Sequence, residues 1–435
     1  MAETKFELSL ADINALFKIK YEKLSENVYN SANVLLGRVK KSYNFTGRKL
    51  QITIPQSFAG GVGSGTLPKA NAARYVAAEI EAKKVYARVD IDRETIKASM
   101  SSEGAFVKAT KEVVKKGVES YMRNMSRILF SDGSGLLATS SSAAGDLSTL
   151  AADTNGNIVV PLDATTFKEA DLEERDLVDV TPGTGAVNSV VVKQVEIIAV
   201  DPVAKTITLD GTKVGLGDFS DSATTPTVLK GAKIHMQGSQ GNDPEGLKGV
   251  IKSQATFQAD GVTDKYTVPV GRRWSSEEID MAQRGSQVLN TDLLNEIMLK
   301  IKKKCGKSPN LIIASYKQYE KLLNILENKK QFNVNTRAGL KSKSGADISF
   351  SGIEFMSIDG AVGVFPERFV EDDRMYFLND DNIHIYHRPD FGWFDDDGTV
   401  FLRKAGEDEY EARYGGYLQV YINPCFHGVI KGLEV

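Results

Sequence analysis

Residues 84–130 read KVYARVDIDRETIKASMSSEGAFVKATKEVVKKGVESYMRNMSRILF, and they set the frame for the rest of the chain. In the first part apolar and polar residues broadly alternate, which predicts a strand. A short helix is expected to start at Asp92, pause at the SSEG of 101–104, and resume as a long helix ending near Phe130. Phe106, Val113, Val114, Val118, Tyr121, Met122, Met125, Ile128 and Leu129 fall on one side of that helix. Lys108, Lys111, Lys115, Lys116, Glu119 and Arg123 fall on the other, so the helix is amphipathic and must bury one face against a sheet. About 26 residues at 1.5 Å each give a rod of roughly 39 Å. The turn chemistry of SDGSG, from Ser131, ends it.

Upstream, Ser9 and Asp12 resemble a capping box, followed by Ile13, Leu16, Phe17, Tyr21, Leu24 and Val28 at helical spacing, an amphipathic N-terminal arm. RKLQITIP, the Gly-rich FAGGVGSGTLP at 58–68 and YVAAEIEAKKVYARVDI then read as strand, loose tip and returning strand. Such a glycine-rich tip has a broad free ensemble, so it is expected to project and to be ordered by a neighbouring chain. Phe58, Val62 and Leu67 would supply apolar contacts there, and Lys69 and Arg74 would pair with acidic partners.

Downstream, LLATSSSAAGDLSTLAADTNGN reads as a flexible connector, and VNSVVVKQVEIIAVD, TITLD and GAKIHM as strands of a small β-barrel or sandwich. The segment 274–304 is expected to return to helix. NLIIASYKQYEKLLNIL reads as a buried strand delivering a helix capped by Ser315 with Gln318. IEFMSI, RMYFL, NIHIYH, TVFLR and YLQVYI follow as strands, and no internal repeat is evident.

Composition narrows the function. At 435 residues the chain exceeds one compact core, and 54 Lys plus Arg against 57 Asp plus Glu argue against a dedicated nucleic-acid binder. Two cysteines, Cys305 and Cys425, far apart in sequence, make no disulfide framework or Cys-rich zinc site and are read as packing residues of a reduced, cytoplasmic protein. MAETKFELSL lacks the basic and apolar regions of a signal peptide, and no run of about 18 apolar residues points to a membrane.

No catalytic constellation is legible. GGVGSGT has Thr66 where a phosphate loop needs Lys. Asp390, Phe391 and Gly392 spell a kinase triplet without its catalytic loop. His384 and His387 fall on opposite strand faces, and Asp395–Asp397 fail calcium-loop spacing. Cys425 and His427 lack an orienting acid. No catalytic residue, cofactor or metal is expected.

The order of hairpin, long helix, inserted β module, α/β region and terminal strands resembles the major capsid proteins of tailed bacteriophages. KVYARVDIDRETIKAS, NLIIASYKQYEKLL and EARYGGYLQVYINPCFHGVIKGL carry the resemblance most strongly. It implies an α+β, Hong Kong 97-like major capsid protein fold with N-terminal arm (1–42), extended hairpin or E-loop (43–90) and a spine helix in a peripheral domain (91–135). A linker and inserted small β-barrel or sandwich (136–245), a peripheral return (246–284), an axial domain (285–400) and terminal peripheral strands (401–435) complete it. The inserted module departs from the minimal fold.

The function implied is a structural subunit forming pentamers and hexamers of an icosahedral or prolate virion head, assembled in the host bacterial cytoplasm. Implied partners are the chain itself, a portal, a separately encoded scaffolding protein, a decoration protein, and packaged double-stranded DNA held by non-specific contacts, with no membrane. An encapsulin-like nanocompartment is the alternative reading, and a β-rich hydrolase or carbohydrate-binding protein a remote one.

Overall fold

The computed structural model describes residues 33–45, 47–57, 74–92, 103–141, 155–181, 192–212, 231–328, 339–341, 347–349, 353–357, 360–389, 392–394, 402–403, 406 and 408–435. The arm helix, the hairpin tip and the aspartate turn of 395–397 lie outside these residues. The chain forms two units: Met1–Leu129 with Val250–Glu367 and Asp372–Val435, and Phe130–Gly249 with Arg368–Glu371.

In the larger unit the organising element is the 14-residue terminal strand Glu409–Ile422. Strand Lys83–Asp92 pairs with it antiparallel over ten residues, from Leu418↔Lys83 to Glu409↔Asp92. On its other edge lies Ile383–His387, which in turn takes Lys40–Ser42 in parallel. The spine helix, Glu103–Phe130, is described at its side chains from Lys115 onward. It lies so close to Lys83–Asp92 that a Cβ on Gly117 would sit 2.3 Å from Val89 Cγ2. One turn on, Tyr121 meets Tyr414 of the terminal strand edge-on, ring centroids 5.2 Å apart.

A second, mixed sheet of this unit runs Glu277–Asp280, Gly428–Lys431, Met375–Leu378, Leu311–Ala314, Gly360–Pro366, Ile353–Ser357. Helices Thr291–Cys305 and Tyr316–Asn328 supply Leu294, Ile297, Ile301 and Leu322 to its core. The second helix begins where Ser315 Oγ accepts the Gln318 N–H at 3.3 Å, an N-cap. Residues 277–280, within the segment expected to be helical, are instead a strand, because they pair in parallel with Gly428–Lys431, 151 positions along the chain, a partner that no local pattern reveals. Residues 277–280 and 428–431 join the second sheet, and 383–387 joins the first.

The parallel pair is locked by a buried charge. Glu278 accepts from Lys431 Nζ (2.5 Å), Ser253 N–H (2.8 Å) and Thr256 Oγ1 (2.7 Å). Burial pushes its carboxyl up, but these three donors outweigh that and hold it below the usual glutamate range. Glu278→Ala strands the Ser253 amide and leaves Lys431 with Asp280, at 3.4 Å, in place of its closer partner, so it is expected to cost about 2 kcal/mol, read as a lower urea midpoint. An unchanged midpoint would refute this.

In the smaller unit six antiparallel strands run in the order Leu136–Thr139, Lys233–Met236, Leu177–Thr181, Val192–Asp201, Thr206–Leu209, Ile158–Pro161. The two edge strands then meet. Ser140 bridges Leu162, Ser141 N–H donates to Pro161 O (2.9 Å) and Asp163 N–H to Thr139 O (2.8 Å), so the module is a closed barrel rather than a sandwich. Alternate residues point inward: Ile158 and Val160, Ile207 and Leu209, Val195 and Ile197, Val178 and Val180. The segment read as connector contributes its start to this barrel. Leu137 and Ala138 are buried, the LLAT before the serine run serving as an edge strand. Buried Asp179 pins the bulge in Leu177–Thr181, accepting from Gln194 N–H (3.0 Å) and Gly238 N–H (2.8 Å).

Candidate assembly hairpin and its support

Strands Lys49–Ser57 and Arg74–Glu81 pair antiparallel from Lys49↔Glu81 to Ser57↔Arg74. The returning stretch, read as one strand, is two. At Ala82 the chain leaves the hairpin and continues as Lys83–Asp92 in the terminal-strand sheet, with Ala82 N–H donating to Arg48 O at 3.1 Å. The period of two gives the hairpin two faces. Leu50, Ile52, Ile54, Val76, Ala78 and Ile80 form one face and pack with Tyr266, Val268, Trp274, Tyr386 and Tyr421. Gln51, Thr53, Pro55, Tyr75 and Ala77 lie on the other face, and all five are exposed, Tyr75 by 58%. Its charges are paired within the hairpin: Arg48 with Glu81 (2.5 Å) and Lys49 with Glu79 (3.2 Å). Hydrogen bonds from Gln51 and Lys49 keep the Glu79 carboxyl below its ordinary range.

The support comes from a small hairpin, Asp264–Lys265 with Val268–Pro269, whose two turn residues both have positive φ (Tyr266 +54°, Thr267 +62°). That is the type I′ geometry, usually given to Asn-Gly, and a β-branched residue there is strained. Its bonds to the long hairpin offset the strain. Tyr266 O accepts the Glu79 N–H at 2.9 Å and Thr267 Oγ1 donates to Ala77 O at 3.3 Å, while Trp274 Nε1, donating to Lys265 O at 3.0 Å, braces the small hairpin itself. Nothing in the dipeptide Tyr-Thr marks a turn, so sequence reasoning missed this support.

Of the residues expected to act at the tip, Phe58, Val62, Leu67 and Lys69 lie outside the described residues, and Arg74 is described by its backbone alone. Of the spine stripe, Val118, Tyr121, Met125 and Leu129 are buried, while the side chains of Phe106 and Val113 are outside the described set. His387 is buried on the face of its strand shared with Ile383 and Ile385 and stacks on Tyr43, whereas His384 occupies the opposite face. Among the described residues no group of three or more His, Cys, Asp or Glu is placed to hold a metal ion, and no helix is long and apolar enough to cross a membrane.

A hairpin leading through one strand into a 28-residue helix, with the last long strand returning beside it, is the arrangement of the Hong Kong 97-like fold, here with an inserted barrel. Residues 227–434 match the SU10 major capsid protein family. No curated protein matches the sequence. Solved structures similar to it include the cyanophage A-1(L) capsid asymmetric unit, at 13% identity and a TM-score of 0.42, covering 94% of this chain and 93% of that one. Mycobacterium phage Bobi is similar at 10% identity and 0.39, covering 98% and 99%. The holo-SrpI encapsulin complex from Synechococcus elongatus PCC 7942 is similar at 8% and 0.38, covering 92% and 87%.

Proposed function

We propose that the chain is the major capsid protein of a tailed bacteriophage, and that the hairpin is the element through which one subunit grips the next in the closed head, its tip (58–68) contributing to assembly rather than to the subunit's own fold. The observation that carries this is its two-sidedness. One face is anchored through Tyr266, Thr267 and Trp274, and the other presents Tyr75 and Pro55 to whatever lies outside. In the sequence the tip joining the two strands carries Phe58, Val62 and Leu67 for apolar contacts, with Lys69 and Arg74 beside it for charged ones. The region 285–400 closes rings of five and six, and the arm 1–42 reaches a neighbour. Each contact contributes modestly, because closed symmetry multiplies it and linked contacts raise effective concentration.

The head so built takes up double-stranded DNA through non-specific contacts. A formal charge of -3 suits that role, neither trapping the genome nor strongly repelling it. A portal, a separately encoded scaffolding protein and a decoration protein complete the assembly, which takes place in the host bacterial cytoplasm. The subunit's work is structural, without a catalytic step.

Replacing 58–68 with a short Gly/Ser turn separates this role from that of an inert loop. The variant subunit is expected to melt within about 2 °C of wild type, since a flexible surface loop costs little to shorten. Its yield of closed shells, counted by negative-stain microscopy, should fall at least tenfold, given how steeply a closed assembly depends on a contact repeated in every subunit. Closed shells at wild-type yield would overturn the assignment.

A further inference from the structure

Cys305 and Cys425 are 120 positions apart in sequence, yet the fold packs the helix that ends at Cys305 against the turn that carries Cys425. Cys305 is the last residue of helix Thr291–Cys305, which Gly306 ends in the left-handed region at φ +75°. Cys425 is the middle residue of the 3-10 turn Pro424–Phe426. The residues flanking each cysteine are tied to those flanking the other. Lys304 Nζ donates to Ser276 O (3.3 Å), while Ser276 Oγ donates to Pro424 O (2.7 Å), joining the positions that precede the two cysteines. Beyond them, Lys307, two residues after Cys305, places its Nζ 5.7 Å from the centre of the ring of Phe426, the residue after Cys425. Both cysteines are half-buried, so small reagents can reach them. The reading of these residues as inert packing does not describe this geometry.

We propose that Cys305 and Cys425 form a redox-responsive dithiol, which closes into an intramolecular disulfide when the subunit meets an anionic low-molecular-weight disulfide such as oxidised glutathione. Cys305 is the attacking group. The hydrogen bond from Cys425 pulls its thiol below the ordinary cysteine range, burial opposes this, and the backbone at Lys307 and the Lys304 charge add to the lowering. The Cys425 thiol is pushed up by the same hydrogen bond and by burial, so it holds its proton until the second step. The sequence KKKCGK also gathers cations, at Lys302, Lys303, Lys304 and Lys307, which favour an anionic reagent.

In the first step the Cys305 thiolate attacks one sulfur of the reagent, forming a mixed disulfide and releasing one glutathione thiolate. That thiolate takes the Cys425 proton. The Cys425 sulfur then attacks Cys305 Sγ and expels the second glutathione thiolate, which is protonated by solvent. Two protein thiols lose two hydrogens, and one small disulfide becomes two small thiols. The closed loop spans most of the larger unit's second half, so the bond restricts the unfolded chain.

The test treats the purified full-length subunit with oxidised glutathione and then with dithiothreitol. Titratable thiols should fall from two to none, with a loss of 2 Da in intact mass and monomer mobility on a non-reducing gel. The melting temperature should rise by about 5 °C and return on reduction. Cys425→Ser should instead hold one glutathione adduct at Cys305 and gain no thermal stability. Stable adducts on both wild-type cysteines, a disulfide between chains, or no reaction at all would each overturn the proposal. The wild-type mass measurement decides this even if the serine variant folds poorly.

Discussion

Val118→Asp is expected to leave the subunit insoluble. Val118 is 1% exposed on the face of the spine helix that meets the terminal-strand sheet, with Gly117 beside it already in tight contact with Val89. A carboxylate there would be taken out of water. It would stay charged at a cost of several kcal/mol or take up a proton at a similar cost, against a total stability of about 5 to 15 kcal/mol. Val118→Ala deletes two methyl groups and adds no charge, so it should remain soluble and lose about 2 kcal/mol. Soluble expression and a urea titration of the two variants separate polarity from volume. A soluble, normally assembling Val118→Asp subunit would show that this helix face is not where the core lies.

Acid should destabilise the subunit well before its carboxylates titrate. His427 is completely buried. The Asn379 N–H donates to its Nδ1 at 3.2 Å, which assigns that nitrogen as the unprotonated one. Protonation would turn this acceptor into a second donor facing a donor. Burial holds His427 down to about 3, the Asn382 carbonyl opposing only in part. His387 is also held at about 3, by burial and by the Lys41 charge.

In the unfolded chain both imidazoles titrate near pH 6.5, so there the unfolded state binds more protons than the folded one. Their contribution is therefore complete above about pH 6.5 and is lost progressively as pH falls towards 3. At about 1.4 kcal/mol per pH unit for each group, the two together remove about 5 kcal/mol between pH 6.5 and 4.5. Asn in place of His427 keeps an acceptor near the Nδ1 position and cannot titrate, so His427→Asn should halve the fall in urea midpoint over that range. A midpoint independent of pH from 6.5 to 4.5 would refute the account.

Both predictions draw on features of unequal legibility in the sequence. The spine helix was readable because a helical period of apolar residues repeats over many turns, and local periodicity carries its own evidence. The same holds for the strand-to-helix passage from Leu311 to Asn328, where a short apolar run and a serine cap lie side by side in the chain. The strand Glu277–Asp280 was read as helix for the opposite reason. Its partner is Gly428–Lys431, and parallel pairing at that distance leaves no trace in a local window. The hairpin was legible as two alternating strands around a glycine-rich tip. Its support was not, since Tyr266 and Thr267 adopt a turn conformation that their residue types disfavour.

The sequence by itself determined the elements whose cause is local. These are the amphipathic spine, the two-faced hairpin, the alternating strands of the inserted module, and the family pattern that runs to the terminal strand. Only the tertiary structure decided what depends on closure and on distant pairing. The inserted strands form a barrel because Ser140 meets Leu162, and the returning strand divides at Ala82 because its two halves find different partners. Cys305 and Cys425 become a pair because a helix end and a late turn are held together through Ser276, Pro424 and Phe426. Periodicity records which face of an element is buried, whereas the identity of what it is buried against is set by the free energy of the whole packed unit.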